Sequence, residues 1–108
     1  MQFVIIGLDG SDNDASFRRA KARPAHLKMG EKLLASGNLM YGSALLHDDG
    51  TMKGSVYIVE FPSEELLHKW LEKEPYVVGD VWKEITIHKS STRDPWQFNR
   101  PKEFFLKK

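Results

Sequence analysis

The order of its elements limits what this chain can fold into more than any single motif does. Residues 2 to 8, 39 to 47, 54 to 61 and 81 to 88 are rich in β-branched and large apolar side chains without helical spacing, which predicts four strands. A helical stretch separates the first strand from the second, with Phe17, Ala20, Leu27, Leu33 and Leu34 at helix-compatible offsets and a stop at Ser36-Gly37-Asn38. Another separates the third strand from the fourth: Ser63 caps it, Glu64 and Glu65 lie in its first turn, and Leu66, Leu67, Trp70 and Leu71 share a face. Strands two and three meet across His47 to Lys53, where Asp49-Gly50 is a turn dipeptide, so they form a hairpin. The order βαββαβ, built as two right-handed split β-α-β units, gives a four-stranded antiparallel sheet with both helices on one face, the ferredoxin-like α+β arrangement. One sheet face is then bare, and for a chain of 108 residues the simplest cover is a second copy, so a homodimer is expected.

Within the first helical stretch Pro24 interrupts the pattern. Proline is tolerated at the first position of a helix and resisted inside it, so the main helix is expected to begin near Pro24, with Ser16 to Ala22 as a preceding turn or a kinked extension. His26 would then lie in the first turn, at the positive end of the helix dipole. Asp9 to Asp14, dense in Asp, Gly, Ser and Asn, reads as a loop.

Charge and composition remove several function classes. With 16 Lys+Arg against 15 Asp+Glu the net charge is +1, too small to gather phosphate backbones, so nucleic acid is not an expected partner. No apolar run approaches the roughly twenty residues a membrane span needs, so no membrane is expected either. Cysteine is absent, which removes disulfides, thiolate chemistry and Cys-type zinc sites. The first apolar run is too short for a signal-peptide core and lacks a basic region before it, and the cytoplasm is the expected compartment. Residues 89–108 hold Trp96, Phe98, Phe104 and Phe105 without regular period, and read as a C-terminal extension that docks on its own subunit or its neighbour, beyond a domain at 1–88.

Three groups of residues carry the functional signal. Arg23-Pro24-Ala25-His26-Leu27 comes first, then Gly37-Asn38-Leu39 leading to Tyr41-Gly42-Ser43, and last Glu74-Pro75-Tyr76-Val77 with Gly79 and Trp82-Lys83-Glu84-Ile85. Together they resemble the YciI-like (YCII-related domain) family, over residues 1 to about 88. That resemblance implies a dimeric α+β barrel, in which two ferredoxin-like subunits press their open sheet faces together and enclose a cavity. It also implies a site built on a histidine and an aspartate, and relatives that act on small cyclic or aromatic molecules as lyases or isomerases. The histidine carries over to His26. The aspartate position holds Glu74, whose carboxylate sits roughly an ångström farther from the backbone, and Gly42-Ser43 stands where the family has Gly-Pro.

On this reading His26 and Glu74 are the catalytic pair. His26 is a general base, and Glu74 orients its ring and stabilises the imidazolium once a proton is taken, with neither metal nor cofactor. Arg23, and less directly Arg18 and Arg19, would orient an anionic small-molecule ligand, since guanidinium forks suit carboxylates. Tyr41, Ser43 and Tyr76 would donate hydrogen bonds to a developing oxyanion. The plainer reading makes His26 and Glu74 a surface pair of little energetic worth, with Glu74 capping a turn. His47, His68 and His88 show no metal-ligand spacing and are expected on the surface. Gly7-Leu8-Asp9-Gly10 lacks the lysine and third glycine of a phosphate loop and reads as a turn. Two rivals to a lyase or isomerase are a non-catalytic small-molecule-binding or assembly module of the same dimeric fold, and a monooxygenase of the same barrel, for which no flavin or haem signal is present.

Overall fold

A computed structural model describes residues 1–93 of the chain. In chain order the elements are β1 (Gln2–Asp9), α1 (Ala15–Ala35), β2 (Leu39–Leu46), β3 (Met52–Glu60), α2 (Glu64–Leu71), the single turn α3 (Pro75–Val78) and β4 (Trp82–Ser90). They form one sheet of order β2-β3-β1-β4 in which every neighbouring pair is antiparallel. This is the expected ferredoxin-like α+β topology, with α3 added before the last strand. The expected docking of Trp96, Phe98, Phe104 and Phe105 lies outside the described residues.

Strand β1 is central, and its alternation sets the two faces of the sheet. Phe3, Ile5 and Gly7 point to the core face, where register places Val59 and Tyr57 of β3 on one side and Ile87 and Ile85 of β4 on the other. Leu33 of α1, Leu67, Trp70 and Leu71 of α2 and Tyr76 of α3 complete that core. On the opposite face Val4 pairs with Ile58 and Ile6 with Val56, half-buried side chains that make an apolar band. A glycine at position 7 is required by packing, because a Cβ there would stand 2.5 Å from Cγ and 2.7 Å from Cε2 of the buried Trp82 ring.

Helix α2 begins as expected: the Ser63 hydroxyl accepts from the Leu66 amide at 3.2 Å, satisfying one of the free donors of the first turn. Leu67, Trp70 and Leu71 are buried, while Leu66 is exposed.

Helix α1 departs from the expectation in two ways. It runs unbroken from Ala15 to Ala35 with Pro24 inside it, so His26 lies about three turns from the N-terminus and outside the reach of the helix dipole. Ala20 and Pro24 are both exposed, so the carbonyl that loses its partner to the proline ring can turn to water. The second departure concerns the face turned inward. Phe17, Leu27 and Leu34 are exposed, and the buried stripe is Arg19, His26 and Leu33, at steps of seven residues. Two of the three side chains that seat this helix are polar. The helix ends at Gly37, which takes a φ of 83° that L side chains rarely adopt. Among the described residues, no helix is long and apolar enough to cross a membrane.

Candidate functional site

The site forms where α3 docks on α1. Pro75 at the first position of α3 holds Glu74 extended (φ −61°, ψ 125°), which turns the Glu74 side chain back over the helix start. There Oε1 accepts from the Tyr76 amide at 3.1 Å, so Glu74 caps α3. The same oxygen meets Nδ1 of His26 in a very short contact. Because Oε1 already accepts from a backbone N–H, the hydrogen in the second contact belongs to Nδ1, and the histidine donates. The other ring nitrogen, Nε2, lies 2.8 Å from the Tyr57 hydroxyl. A line of three groups results: carboxylate, imidazole, phenol.

These groups are buried: His26 is 6% exposed, Tyr57 7% and Glu74 0%. Glu74 therefore does cap a turn, but the pair is not a solvated surface pair. Tyr76 stacks flat on the imidazole with centroids 3.6 Å apart and planes 6° from parallel, while Trp82 presents itself edge-on at 6.0 Å. Burial, followed by the negative charge of Glu74, raises the Tyr57 pKa well above the ordinary phenol value, and burial also raises Tyr76, with Arg19 and Arg23 opposing. Both phenols therefore hold their protons at neutral pH.

A second polar pair flanks the first. Arg19 grips both oxygens of Asp9 at 2.9 and 2.8 Å, reaches the Ser55 hydroxyl at 3.3 Å, and lies with its guanidinium 4.8 Å from the Tyr76 ring centroid. Asp9, Arg19, Tyr76, His26, Glu74 and Tyr57 thus form one buried cluster. Within it Nε of Arg19, Oε2 of Glu74 and the Tyr76 hydroxyl have no hydrogen-bond partner among the described residues.

Above the cluster opens a cavity of about 550 Å³ between α1 and the edge strand β2. His26, Tyr57 and Tyr76 border it, together with Arg19, Arg23, Leu27, Gly30 and Leu34 from α1 and Tyr41 and Ser43 from β2. His26, Glu74, Arg23, Tyr41, Ser43 and Tyr76 thus lie at or directly beneath one cavity. Arg23 also donates to the Met52 sulfur at 3.1 Å. Arg18 is occupied elsewhere, bound to both oxygens of Asp12 at 2.8 and 2.7 Å. His47, His68 and His88 are exposed, and among the described residues no group of three or more His, Asp or Glu side chains comes together as a metal site would need.

Sequence reasoning misses Tyr57 and Asp9, and it assigns Arg19 to an anionic ligand where the structure pairs it with Asp9. Tyr57 sits inside the apolar run Val56-Tyr57-Ile58-Val59, where strand alternation points it inward but nothing distinguishes it from a packing residue. The available signal was the seven-residue spacing of Arg19, His26 and Leu33, which puts two polar groups on a core-facing stripe.

Comparison with known proteins agrees with this architecture. The profile of the YCII-related domain matches residues 1–91. Protein YciI of Escherichia coli O6:H1 and its counterpart in Shigella flexneri are each 30% identical over 93 residues, 81% of this chain and 93% of theirs. Among solved structures, the 5-chloro-2-hydroxyhydroquinone dehydrochlorinase TftG from Burkholderia phenoliruptrix AC1100, in complex with 2,5-dihydroxybenzoquinone, superposes with a TM-score of 0.73 at 25% identity, covering 84% of this chain and 94% of that one. Sequence and fold lead to the same place: the chain belongs to the YCII-related domain family.

Proposed function

We propose that the chain is a cofactor-independent lyase or isomerase, acting on a small cyclic or aromatic, hydroxylated and anionic molecule through the His26–Glu74 pair. The observation that carries this reading is the buried line Glu74–His26–Tyr57 ending at a cavity large enough for a single substituted ring. Removal of a ring hydroxyl proton leaves an electron pair that forms a carbonyl while the ring carbon bearing the leaving group takes up a proton, which gives the keto tautomer. A leaving group such as chloride then departs with its bonding pair as a second ring hydroxyl loses its proton and becomes a carbonyl, leaving a quinone. Glu74 stabilises the imidazolium that forms, Arg23 and Tyr76 face the anionic part of the guest, and Tyr41 and Ser43 hold its other oxygens. A structural neighbour that is a dehydrochlorinase of a hydroxyquinol supports this chemistry.

The test is chloride release from 5-chloro-2-hydroxyhydroquinone by the wild type, His26→Ala and Glu74→Gln. Turnover by the wild type and its loss in both variants is the expected result; equal rates in all three would refute the assignment of roles. One observation favours a binding-only module instead: both nitrogens of His26 are engaged, by Glu74 and by Tyr57. On that reading 2,5-dihydroxybenzoquinone binds and no hydroxyquinol is turned over.

The assembly belongs to the same proposal. Val4, Ile6, Val56 and Ile58 form an apolar band on the sheet face away from the core, and a second copy seated there would close a dimeric barrel. Ile6→Glu should shift the solution mass from dimer to monomer; a wild type that is already a monomer would exclude the dimer.

A further inference from the structure

We infer that Tyr57 is the catalytic residue that meets the substrate's proton, and that His26 receives a proton only through it. This rests on the lyase or isomerase reading above and specifies its first step. No lone pair of the imidazole is open to a guest. Nδ1 carries its hydrogen toward Glu74, Nε2 faces the Tyr57 hydroxyl at 2.8 Å, and Tyr76 covers a face of the ring at 3.6 Å. The Tyr57 oxygen, by contrast, donates its one hydrogen to Nε2 and keeps its lone pairs free to accept from a guest. It also has open space beside it. Gly30 stands one helical turn after His26, and a Cβ built there would lie 3.7 Å from the Tyr57 hydroxyl oxygen, so the missing side chain leaves an approach from the cavity to the phenol.

The proton balance is simple. As the substrate O–H bond breaks, a new O–H bond forms at Tyr57, the original Tyr57 O–H bond breaks, and an N–H bond forms at Nε2 of His26. The products are a substrate enolate or phenolate and an imidazolium beside the Glu74 carboxylate, with Tyr57 neutral before and after. No oxidant, reductant or co-reactant enters. The two transfers are concerted, because burial and the Glu74 charge make a free Tyr57 phenolate unfavourable. The released proton leaves His26 by the same route after the product departs.

Tyr57→Phe tests this, since it removes the hydroxyl and keeps the ring that packs 5.6 Å from His26 and 6.1 Å from Trp82. With 5-chloro-2-hydroxyhydroquinone as probe, chloride release should slow by about a hundredfold or more at little change in KM. The wild-type rate should bend with deuterium content as two protons in flight require. Tyr57→Phe within about threefold of the wild type, with His26→Ala inactive, would overturn the relay and leave the parent reading standing. Equal rates in His26→Ala, Glu74→Gln and the wild type would bring down the parent reading itself. If the wild type releases no chloride, titration with 5-chloro-2-hydroxyhydroquinone itself, whose phenolic hydroxyls keep their protons at neutral pH, decides, followed through the ring-nitrogen NMR resonances of His26. Protonation of Nε2 on binding, present in the wild type and absent in Tyr57→Phe, supports the relay; the same response in both, or none in the wild type, overturns it.

Discussion

Replacing Glu74 by glutamine should separate the structural work of this carboxylate from its charge. Oε1 accepts from both the Tyr76 amide and His26 Nδ1, at a residue with 0% exposure. Glu74→Ala strands both donors, and at about 1–3 kcal/mol for each stranded buried donor the loss is about 3–6 kcal/mol once the vacated space is included. That is a large fraction of the roughly 5–15 kcal/mol that holds a domain of this kind together. Glu74→Gln behaves differently. With its carbonyl oxygen in the Oε1 position it still satisfies both donors, and only the amide nitrogen, placed where Oε2 already lacks a partner, is stranded. The flipped amide would leave the Tyr76 amide without an acceptor and set two donors against each other, so the unflipped one is favoured. Glu74→Gln should therefore lose only about 1–3 kcal/mol and keep the Nδ1–H tautomer. What it loses is the charge opposite the imidazolium. At an effective dielectric of about 20 a contact pair is worth on the order of 4 kcal/mol, and with the charge partly developed in the transition state the rate should fall by roughly 10²–10³. Denaturant midpoints at unchanged slope give the stabilities, chloride release gives the rate, and imidazole NMR gives the tautomer. A Glu74→Gln variant as unstable as Glu74→Ala, or one with the hydrogen moved to Nε2 and off Nδ1, would refute this account of who donates to whom.

Gly7→Ala should destabilise the fold by about 1–3 kcal/mol, because its Cβ would press on Trp82 at 2.5 Å and drive that ring toward His26, Tyr57 and Tyr76; an unchanged unfolding midpoint would count against the packing described. Gly30→Ala should have the opposite sign, raising stability by about 0.5–1 kcal/mol through helix propensity while weakening 2,5-dihydroxybenzoquinone binding measured by titration. Affinity left intact would mean that the guest does not use the space beside Tyr57. Alkaline titration follows Tyr57 and Tyr76, whose folded pKa values are raised above the ordinary 10.0. Their contribution to stability is present below about that pH and lost as pH rises through the folded values, so part of the phenolate absorbance should appear only with unfolding. Ordinary ionisation of Tyr57 and Tyr76 in the folded protein would contradict the burial assigned to them.

Much of the architecture was legible because it depends on period and order. Four runs without helical spacing, a turn at Asp49-Gly50 and a cap at Ser63 suffice for the sheet order and for α2. Helix α1 was harder. The spacing of Phe17, Leu27 and Leu34 marks a helix but not its inward face: all three are exposed, and the residues that meet the sheet are Arg19 and His26 beside Leu33. Pro24 suggested a helix start, which fails because the proline faces water and the freed carbonyl needs no protein partner. The neighbourhood of His26 and Glu74 was within reach only through the spacing and resemblance of the motifs that contain them. Tyr57 and Asp9 were not, because their roles depend on register across β1 and β3 and on which rotamer a buried arginine takes.

Helix α1 is fastened to the sheet by the same arginine and histidine that border the cavity. A protein built this way cannot tune its chemistry and its robustness separately: refitting the pocket for a new guest loosens the joint between layers, and filling that joint with leucine or methionine would strengthen the molecule while emptying it of purpose. Divergence among such chains should therefore be easiest along the cavity rim, at positions such as Arg23, Tyr41 and Ser43, where no seam has to hold.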